Sequence, residues 1–544
     1  MDLKNILQKF QSAETVRRGY ESIYRDLTKY FNPYRDDFIN ATGPLGDVTS
    51  KRPRTDLYNT EGVNAAEQLT STICNGLINY ARPWFAFSVK DVDTKSNLMV
   101  RRFLEKATDI TADAINDTSA NFYSQAHEFV ADLVIYGTAC MYVEESKGEE
   151  DSDIKFCTIP LAEVYISENN YRQVDSVFRK MKMTAPQIVL QWPDTAPDKI
   201  RQAAERGSTD QYDVLHAVVE REIARVSGIK TNKQFAYASF YILPESNSLL
   251  SESGYHEMPY IVARWMRRSG ELYGRSPAWV ALPDVKRANA VEKTLIETSE
   301  RIGNPPILMS DDGVITQLRL APGQPVIGGL DSVTGAPRLQ PMMVGGNIPV
   351  TLQMLQMLNQ GIRDRFFVGV LSSYNPGVEK TATEVVEFRR EESRLMGPNI
   401  GKIQSEMLEP IIDRVRNILS RKRKFPKMPQ QLIDVSVELE YSSPLAKMQQ
   451  GSDVDAITRT LNVMLPFIQT DPTLMDAING EAAFQHVAEV NGVLAKLIRS
   501  PEEIAQRKQA RAEQQQLAQT ADVMQQASQA QLNISKAQAL QNGG

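Results

Sequence analysis

The chain has little cysteine and little histidine for its 544 residues. Cys74, Cys140 and Cys157 are far apart, with no C-x-x-C spacing, and His127, His216, His256 and His486 are scattered. That pattern excludes a disulfide framework and a zinc site built on paired cysteines, and it fits a reducing compartment. Long apolar runs are missing as well. The most continuous one, Leu133 to Val143, falls far short of the roughly 20 residues a membrane span needs. The N-terminal stretch is amphipathic and carries acids as well as bases, unlike a signal peptide, so a cytoplasmic protein without a membrane partner is expected. No G-x-x-x-x-G-K-[ST] phosphate loop, G-x-S-x-G elbow, H-E-x-x-H helix or kinase motif set occurs. The expectation is therefore no enzyme and no cofactor. Adjacent carboxylates such as Asp311-Asp312 and Glu391-Glu392 read as solvated pairs, because a metal site needs converging ligands with outer-shell support.

An excess of positive charge is also lacking. The formal net charge is -6 and the pI about 5.6, which argues against a protein that coats DNA by bulk electrostatics and leaves room for one that DNA slides past. Apolar and charged fractions are those of a soluble globular protein, and the length suggests several domain-sized units.

What is present is most informative between Met258 and Ile302. Pro259 to Trp265 alternates as a half-buried strand, Gly270 and Gly274 relax the backbone, and Ser276-Pro277 supplies an N-cap and a first-turn proline. Strand, turn and helix are expected in that order. Leu282, Val285, Ala288, Val291, Leu295, Ser299 and Ile302 then step by three or four residues, drawing one narrow apolar stripe. The other faces mix Asp284, Glu292, Glu297 and Glu300 with Lys286, Arg287, Lys293 and Arg301, which suits a helix that packs side by side with others.

Upstream, apolar periodicity predicts a helix from Leu3 to Phe31 that stops at Asn32-Pro33. A polar loop with Lys51, Arg52 and Arg54 follows, then helices from about Asn59 to Asn79, Lys95 to Asn116 and Phe122 to Tyr136. Ala139 to Val262 reads as strands (YVEE, DIKFCTI, VYIS, EREIARV, QFAYASFYILP) interrupted by one all-polar helix over Ala185 to Arg206. This is an α+β body, predominantly helical over the chain.

Downstream, Asn304-Pro305-Pro306 stops the striped helix. A Gly/Pro-rich segment with short strands (PILM, VITQLRL, PVIGG) runs to Gly346, and Leu352, Leu355, Leu358, Ile362 and Phe366 mark a second single-stripe helix. Two such helices around a small strand-rich insert make a long hairpin with a knob at its tip. The loop VGVLSSYNPGVEK turns at Asn375-Pro376-Gly377. A helix capped by Thr381 and Glu384 then runs to Lys424, broken or bent at Gly397-Pro398 and kinked at Pro410. Leu432 to Tyr441 reads as a strand and Asp453 to Arg499 as several helices. The Gln/Ala-rich tail beyond Pro501 is helical or disordered.

Two basic features have two readings each. Arg421 to Lys424 either cap the helix end and meet solvent or touch nucleic acid; Arg363 and Arg365 either contact DNA or pair with acids of a neighbouring helix. Trp84, Phe85, Trp265 and Trp279 read as core or interface anchors.

Pro259, Arg264, Trp265, Glu271, Tyr273, Gly274, Arg275, Ser276, Pro277, Leu282, Asp284 and Asn289 resemble the central motif of podovirus-type portal proteins, the head-to-tail connectors of short-tailed phages. Leu69 to Phe87 and the YSSPLAKMQQ stretch, Tyr441 to Gln450, resemble the same family in the expected order. The resemblance implies a portal-like architecture with an α/β wing body (1–275), a first stem helix (276–304), a strand-rich clip (305–346) and a second stem helix (347–369). A tunnel loop (370–380), a long kinked wing helix (381–424), a C-terminal strand with a helical crown (425–500) and the tail (501–544) complete it. It assigns Arg363, Arg365, Tyr374 and Lys380 to the DNA channel and tunnel loop, and Asp311, Asp312, Arg319 and Arg338 to clip docking. Leu282, Val285, Leu295, Leu355, Ile362 and Phe366 pack the stem. The implied partners are further copies in a twelve-membered ring, double-stranded DNA, the terminase large subunit, tail adaptor or tail tube proteins, and major capsid and scaffolding proteins. The implied location is the portal vertex of a virion assembled in the host cytoplasm. From other classes, a metal-dependent DNA-processing enzyme and a different ring-forming virion scaffold component remain the alternatives.

Overall fold

The computed structural model describes residues 3–35, 56–78, 84–91, 97–146, 153–221, 235–309, 330–331, 333–341, 348–368, 396–432 and 437–441, with 460 and 507. The chain divides into two compact units, Met1–Leu445 and Ala446–Gly544. All but the two isolated positions belong to the first, so the expected helices over Asp453 to Arg499 and the tail lie outside the described residues.

Helix α1 (Leu3–Phe31) ends where expected, ahead of Pro33, which removes the next donor. Its two halves bury against different partners. Ile6, Phe10 and Ala13 lie on a sheet with Tyr165, Phe178 and Leu215, whereas Tyr24, Leu27 and Phe31 enter the main core. Helices α2 (Glu61–Leu77), α3 (Leu98–Asn116) and α4 (Phe122–Tyr136) follow close to their expected limits. The Asn97 side chain accepts from Met99 N and caps α3, and Gly137, at φ 80, closes α4 with its N–H on Leu133 O at 3.0 Å.

Among the described residues, four antiparallel sheets cover the strand-rich region and its surroundings. β2 (Thr138–Glu145) lies between β3 (Ile154–Ile159) and β9 (Tyr260–Arg264). A meander of β4 (Val164–Glu168), β5 (Val174–Thr184), β6 (Gln211–Glu220), β7 (Tyr237–Leu243) and β8 (Ser248–Tyr255) forms the largest sheet. β1 (Phe85–Val89) pairs with β12 (Val437–Tyr441), tying two distant parts of the sequence together, with Phe85 opposite Tyr441. The motif EREIARV contributes only its first residue to β6, and 222–230 lie outside the described residues.

The all-polar helix over Ala185 to Arg206 is a correction. Two short helices stand there, α5 (Ala185–Gln191) and α6 (Asp198–Glu205), separated where Pro193 and Pro197 each lack a donor. Their inner faces are apolar: Ala185, Ile188, Ala196 and Ile200 are buried with Val214, Leu243 and Leu250 of the sheet beneath.

The long wing-type helix is described from Met396 onward. Helical residues 396–403 pass into a π-helical turn, Gln404–Leu408, and then into α9 (Glu409–Arg421). The irregularity expected from Pro410 thus takes the form of a widened turn just before it, which lets Glu409 N reach back to Gln404 O. Gly397 and Pro398 lie in the first described helical turn.

Candidate functional site at the base of the long hairpin

Helix α7 (Pro277–Gly303) opens as its sequence dictates: Ser276 accepts from Trp279 N at 2.9 Å and Pro277 takes the first position. Ser276 also donates to Ile135 O at 2.6 Å, so one buried hydroxyl joins α4 to α7. The turn between β9 and α7 is held atom by atom. Trp265 N–H meets Gly137 O at 2.9 Å, Arg275 N–H meets Met266 O at 2.6 Å, and Gly274 N–H meets Thr138 Oγ1 at 2.8 Å. Gly274 does not relax the backbone, contrary to expectation. It is glycine because a Cβ there would lie 2.2 Å from Gly137 O, and a Cβ on Gly137 would lie 2.5 Å from Gly274 O. The two backbones touch where β2 and the turn cross. Gly270, at φ 87, is the conformational glycine of the turn.

The polar and aromatic residues around the turn are paired as well. Glu271 grips Arg275 through Nη2 at 2.5 Å and Nε at 3.0 Å, and the guanidinium lies 5.2 Å from the Trp279 ring centroid. Tyr273 is fully buried with its hydroxyl toward Ile166 N at 3.3 Å. Arg264, 6 % exposed, pairs with Glu168 at 3.1 Å and with Glu406 of the π turn at 3.7 Å, while its own N–H donates to Glu406 at 2.7 Å. The carboxylate on the π turn thereby covers the open edge of β9.

α7 runs antiparallel to α8 (Ile348–Arg365), and β10 (Ile307–Met309) pairs with β11 (Leu339–Pro341) beyond them. A polar collar crosses this hairpin at one level. Asn289 Oδ1 accepts from Tyr58 N at 2.7 Å and Asn59 N at 3.1 Å, and Asn59 Nδ2 donates to Glu292 at 2.7 Å and Asn359 at 3.1 Å. Below the collar Leu282, Val285, Ala288, Ile362 and Phe366 are buried, and on α8 the burial continues one turn past Asn359 to Leu355. Farther toward the tip the stripe opens. Leu295 is half-buried, and Ile302 is 48 % exposed, with Val350, Leu352, Met354 and Met357 bare on α8.

Of the four residues assigned to the channel, Arg363 and Arg365 are described, and both are paired within the chain. Arg363 Nε meets Glu61 at 2.5 Å and Arg365 Nε meets Asp284 at 2.7 Å, with the hydrogen bond to Glu61 holding the Arg363 pKa up. Tyr374 and Lys380 lie outside the described residues, as do Asp311, Asp312 and Arg319. Arg338 is described and pairs with Asp331 at 3.2 Å. Backbone N–H groups of Thr334 and Val333, with Arg338 adding to them, bring the Asp331 pKa down to about 2. The basic run is likewise engaged: Arg421 with Glu257 at 2.6 Å, Lys422 and Lys424 with Asp153 at 2.9 and 3.2 Å. It locks α9 to the β2–β3 hairpin.

Sequence reading missed the buried cations. Arg17, 1 % exposed, donates to Leu161 O at 2.7 Å and Val164 O at 2.8 Å and packs against the rings of Tyr24, Tyr165 and Tyr273. Arg414 reaches Val143 O at 2.9 Å and Glu257 at 3.4 Å. Both sit on helix faces whose spacing continues an apolar stripe, the one local signal of their burial. His216 is buried between Tyr260 Oη at 2.6 Å and Ser239 Oγ at 3.0 Å; burial first, then Arg179, lowers its pKa to about 3, so it stays neutral. Among the described residues no group of three or more His, Cys, Asp or Glu converges on a point, and no helix is long and apolar enough to cross a membrane.

An α+β body thus holds the root of a two-helix hairpin whose apolar stripe is left open toward the tip by the described residues. The comparisons name the family. The model for bacteriophage head to tail connecting protein matches residues 3–498, and the chain belongs to that family. The portal protein of Salmonella phage epsilon15 is 26 % identical over 543 residues, covering 98 % of this chain and 96 % of that protein. A probable portal protein of Bordetella phage BPP-1 is 24 % identical over 535 residues, with 96 % and 93 % covered.

Proposed function

We propose that the chain is a portal subunit: copies of it close into a ring, twelve-fold by family resemblance, at one vertex of a tailed-phage capsid. The observation that carries this reading is the stripe of the α7–α8 hairpin, buried at its root and open toward its tip, at Leu295 and Ile302 on α7 and Leu352 on α8. An apolar seam that its own chain leaves uncovered gains roughly 25 cal/mol for every Å² it removes from water, and a head-to-tail ring covers every copy's seam at once.

In this reading α7 and α8 are the stem, 305–346 the clip, 1–275 the wing body, 370–380 the tunnel loop, 381–424 the wing helix and 425–500 the crown region. The ring is the channel for double-stranded DNA during packaging and ejection. The clip docks the terminase large subunit and afterwards the tail adaptor or tail tube, while the body and crown meet capsid and scaffolding proteins in the assembling virion. Arg363 and Arg365 hold the root of the stem through Glu61 and Asp284, which leaves Tyr374 and Lys380 as the loop residues offered to DNA. The mechanism is geometric: acidic walls let the duplex move, and a few loop residues grip it.

Deleting Ser372 to Val378 tests the assignment. Rings of normal size that package or retain DNA poorly are expected in an assembly extract. Loss of the ring itself would place the loop at the subunit interface and remove it from the channel.

A further inference from the structure

The turn at the root of α7 gathers more positive charge than it needs for its own structure. Glu168 Oε2 accepts from Arg264 Nη1 at 3.1 Å and Arg267 Nη1 at 2.9 Å, and Arg172 O accepts from Arg264 at 3.3 Å and Arg267 at 3.0 Å. Arg172 itself, at φ 61, rests its guanidinium on Ser269 Oγ at 3.4 Å. From the π-turn side Lys402 approaches Glu406 only to 3.9 Å. Arg172, Arg264, Arg267 and Lys402 thus face two carboxylates, Glu168 and Glu406, an excess of two positive charges in a chain whose net charge is -6. Arg268, exposed and without a carboxylate among the described residues, adds a third.

Two features accompany this excess. Arg264 Nε is buried with no hydrogen-bond partner among the described residues. The Lys402 pKa is lowered, first by burial and then by Arg264 and Arg267, even though Glu406 opposes the shift. Arginine dominates the cluster, and the guanidinium forks of Arg264 and Arg267 are already fixed by Glu168 and Arg172 O, so little side-chain freedom is lost on meeting a phosphate oxygen. Tyr171, 87 % exposed beside Arg172, adds an aromatic face and a hydroxyl at the rim. Fixed arginine forks and an exposed ring match a sugar-phosphate backbone better than a carboxylate-bearing peptide.

We propose that Arg172, Arg267, Arg268 and Lys402, over a floor formed by Arg264, bind phosphate groups of a nucleic-acid backbone. The site lies on the β9–α7 turn, and its residues all belong to one chain.

The test uses the full chain and a labelled duplex of about 30 base pairs, followed by anisotropy across a salt series. The double variant Arg172→Glu/Arg268→Glu changes two exposed side chains outside the Glu168 pairs. It should weaken duplex binding at least tenfold and lower the salt slope by about two. Lys402→Gln should lower the slope by about one while leaving the Arg264 pairs intact. Unchanged duplex affinity and slope in the double variant would overturn the proposal. So would loss of binding to polyglutamate with duplex binding intact, since that marks a docking point for an acidic protein. A solution mass of the parent and of the variant separates this inference from the portal reading: variant rings that no longer bind duplex support both, and a parent chain that binds duplex but forms no rings counts against the ring alone.

Discussion

The two halves of α7 carry one continuous pattern and have different fates. From Leu282 to Ala288 the stripe is buried by α1, α2 and α8, and Gly62 leaves just enough room for Phe31 and Val285 to close over it. From Val291 to Ile302 the same spacing continues, yet Leu295 is half-buried and Ile302 is 48 % exposed. The Asn59–Asn289 collar marks the change. Periodicity identifies a face that wants burial; it does not say whether the covering surface belongs to the same chain. Here the lower half is buried by its own chain and the upper half is left open.

The largest way to break the lower half is at the glycine contact. Gly274→Val places side-chain atoms into Gly137 O and should cost at least about 3 kcal/mol, seen as insoluble protein or a collapsed melting temperature. Soluble protein with an unchanged melt would mean that the two backbones can part.

The comparison itself is sharpened by one matched pair. Val285→Asp buries a charge at a fully enclosed position and should unfold the subunit, with a loss on the order of 3 kcal/mol or more. Leu295→Asp, on the same stripe, should leave the subunit's denaturation midpoint within about 0.5 kcal/mol of the parent while abolishing ring formation. Equal effects on folding would erase the distinction between the halves.

Smaller losses are expected at single polar anchors. Ser276→Ala removes the α7 cap and the bond to Ile135 O, and urea titration should read about 1–2 kcal/mol. The least effect concerns pH at Asp331. Its folded pKa lies below the ordinary value near 4, so its contribution is full above that value and fades as pH falls toward about 2. The chemical shifts of Val333 and Thr334 should therefore hold at pH 4 and change near pH 2. A change already complete at pH 4 would contradict the bonding seen there.

Much of this was legible in the sequence. The strand, turn and capped helix follow from alternation, from Gly270 and from Ser276-Pro277, all local signals that tertiary contacts only reinforce. The family motif was visible as residues, whereas its reason was not: Gly274 answers Gly137 from far along the chain, and Asn289 answers the backbone of residues 58 and 59. Neither pairing leaves a trace in spacing. The helices α5 and α6 were misread because a few apolar residues suffice to seat short amphipathic helices on a sheet. For Arg363 and Arg365 charge alone left two readings open, and it could not reveal that Glu61 and Asp284 stand opposite them.

The central claim is that the open upper stripe is covered by further copies of this chain around a channel. Negative-stain electron microscopy of the purified full-length protein, with a mass measured in solution, tests it directly. The account predicts rings with a central hole wide enough for duplex DNA. A chain that stays monomeric at high concentration and across several salts would contradict it.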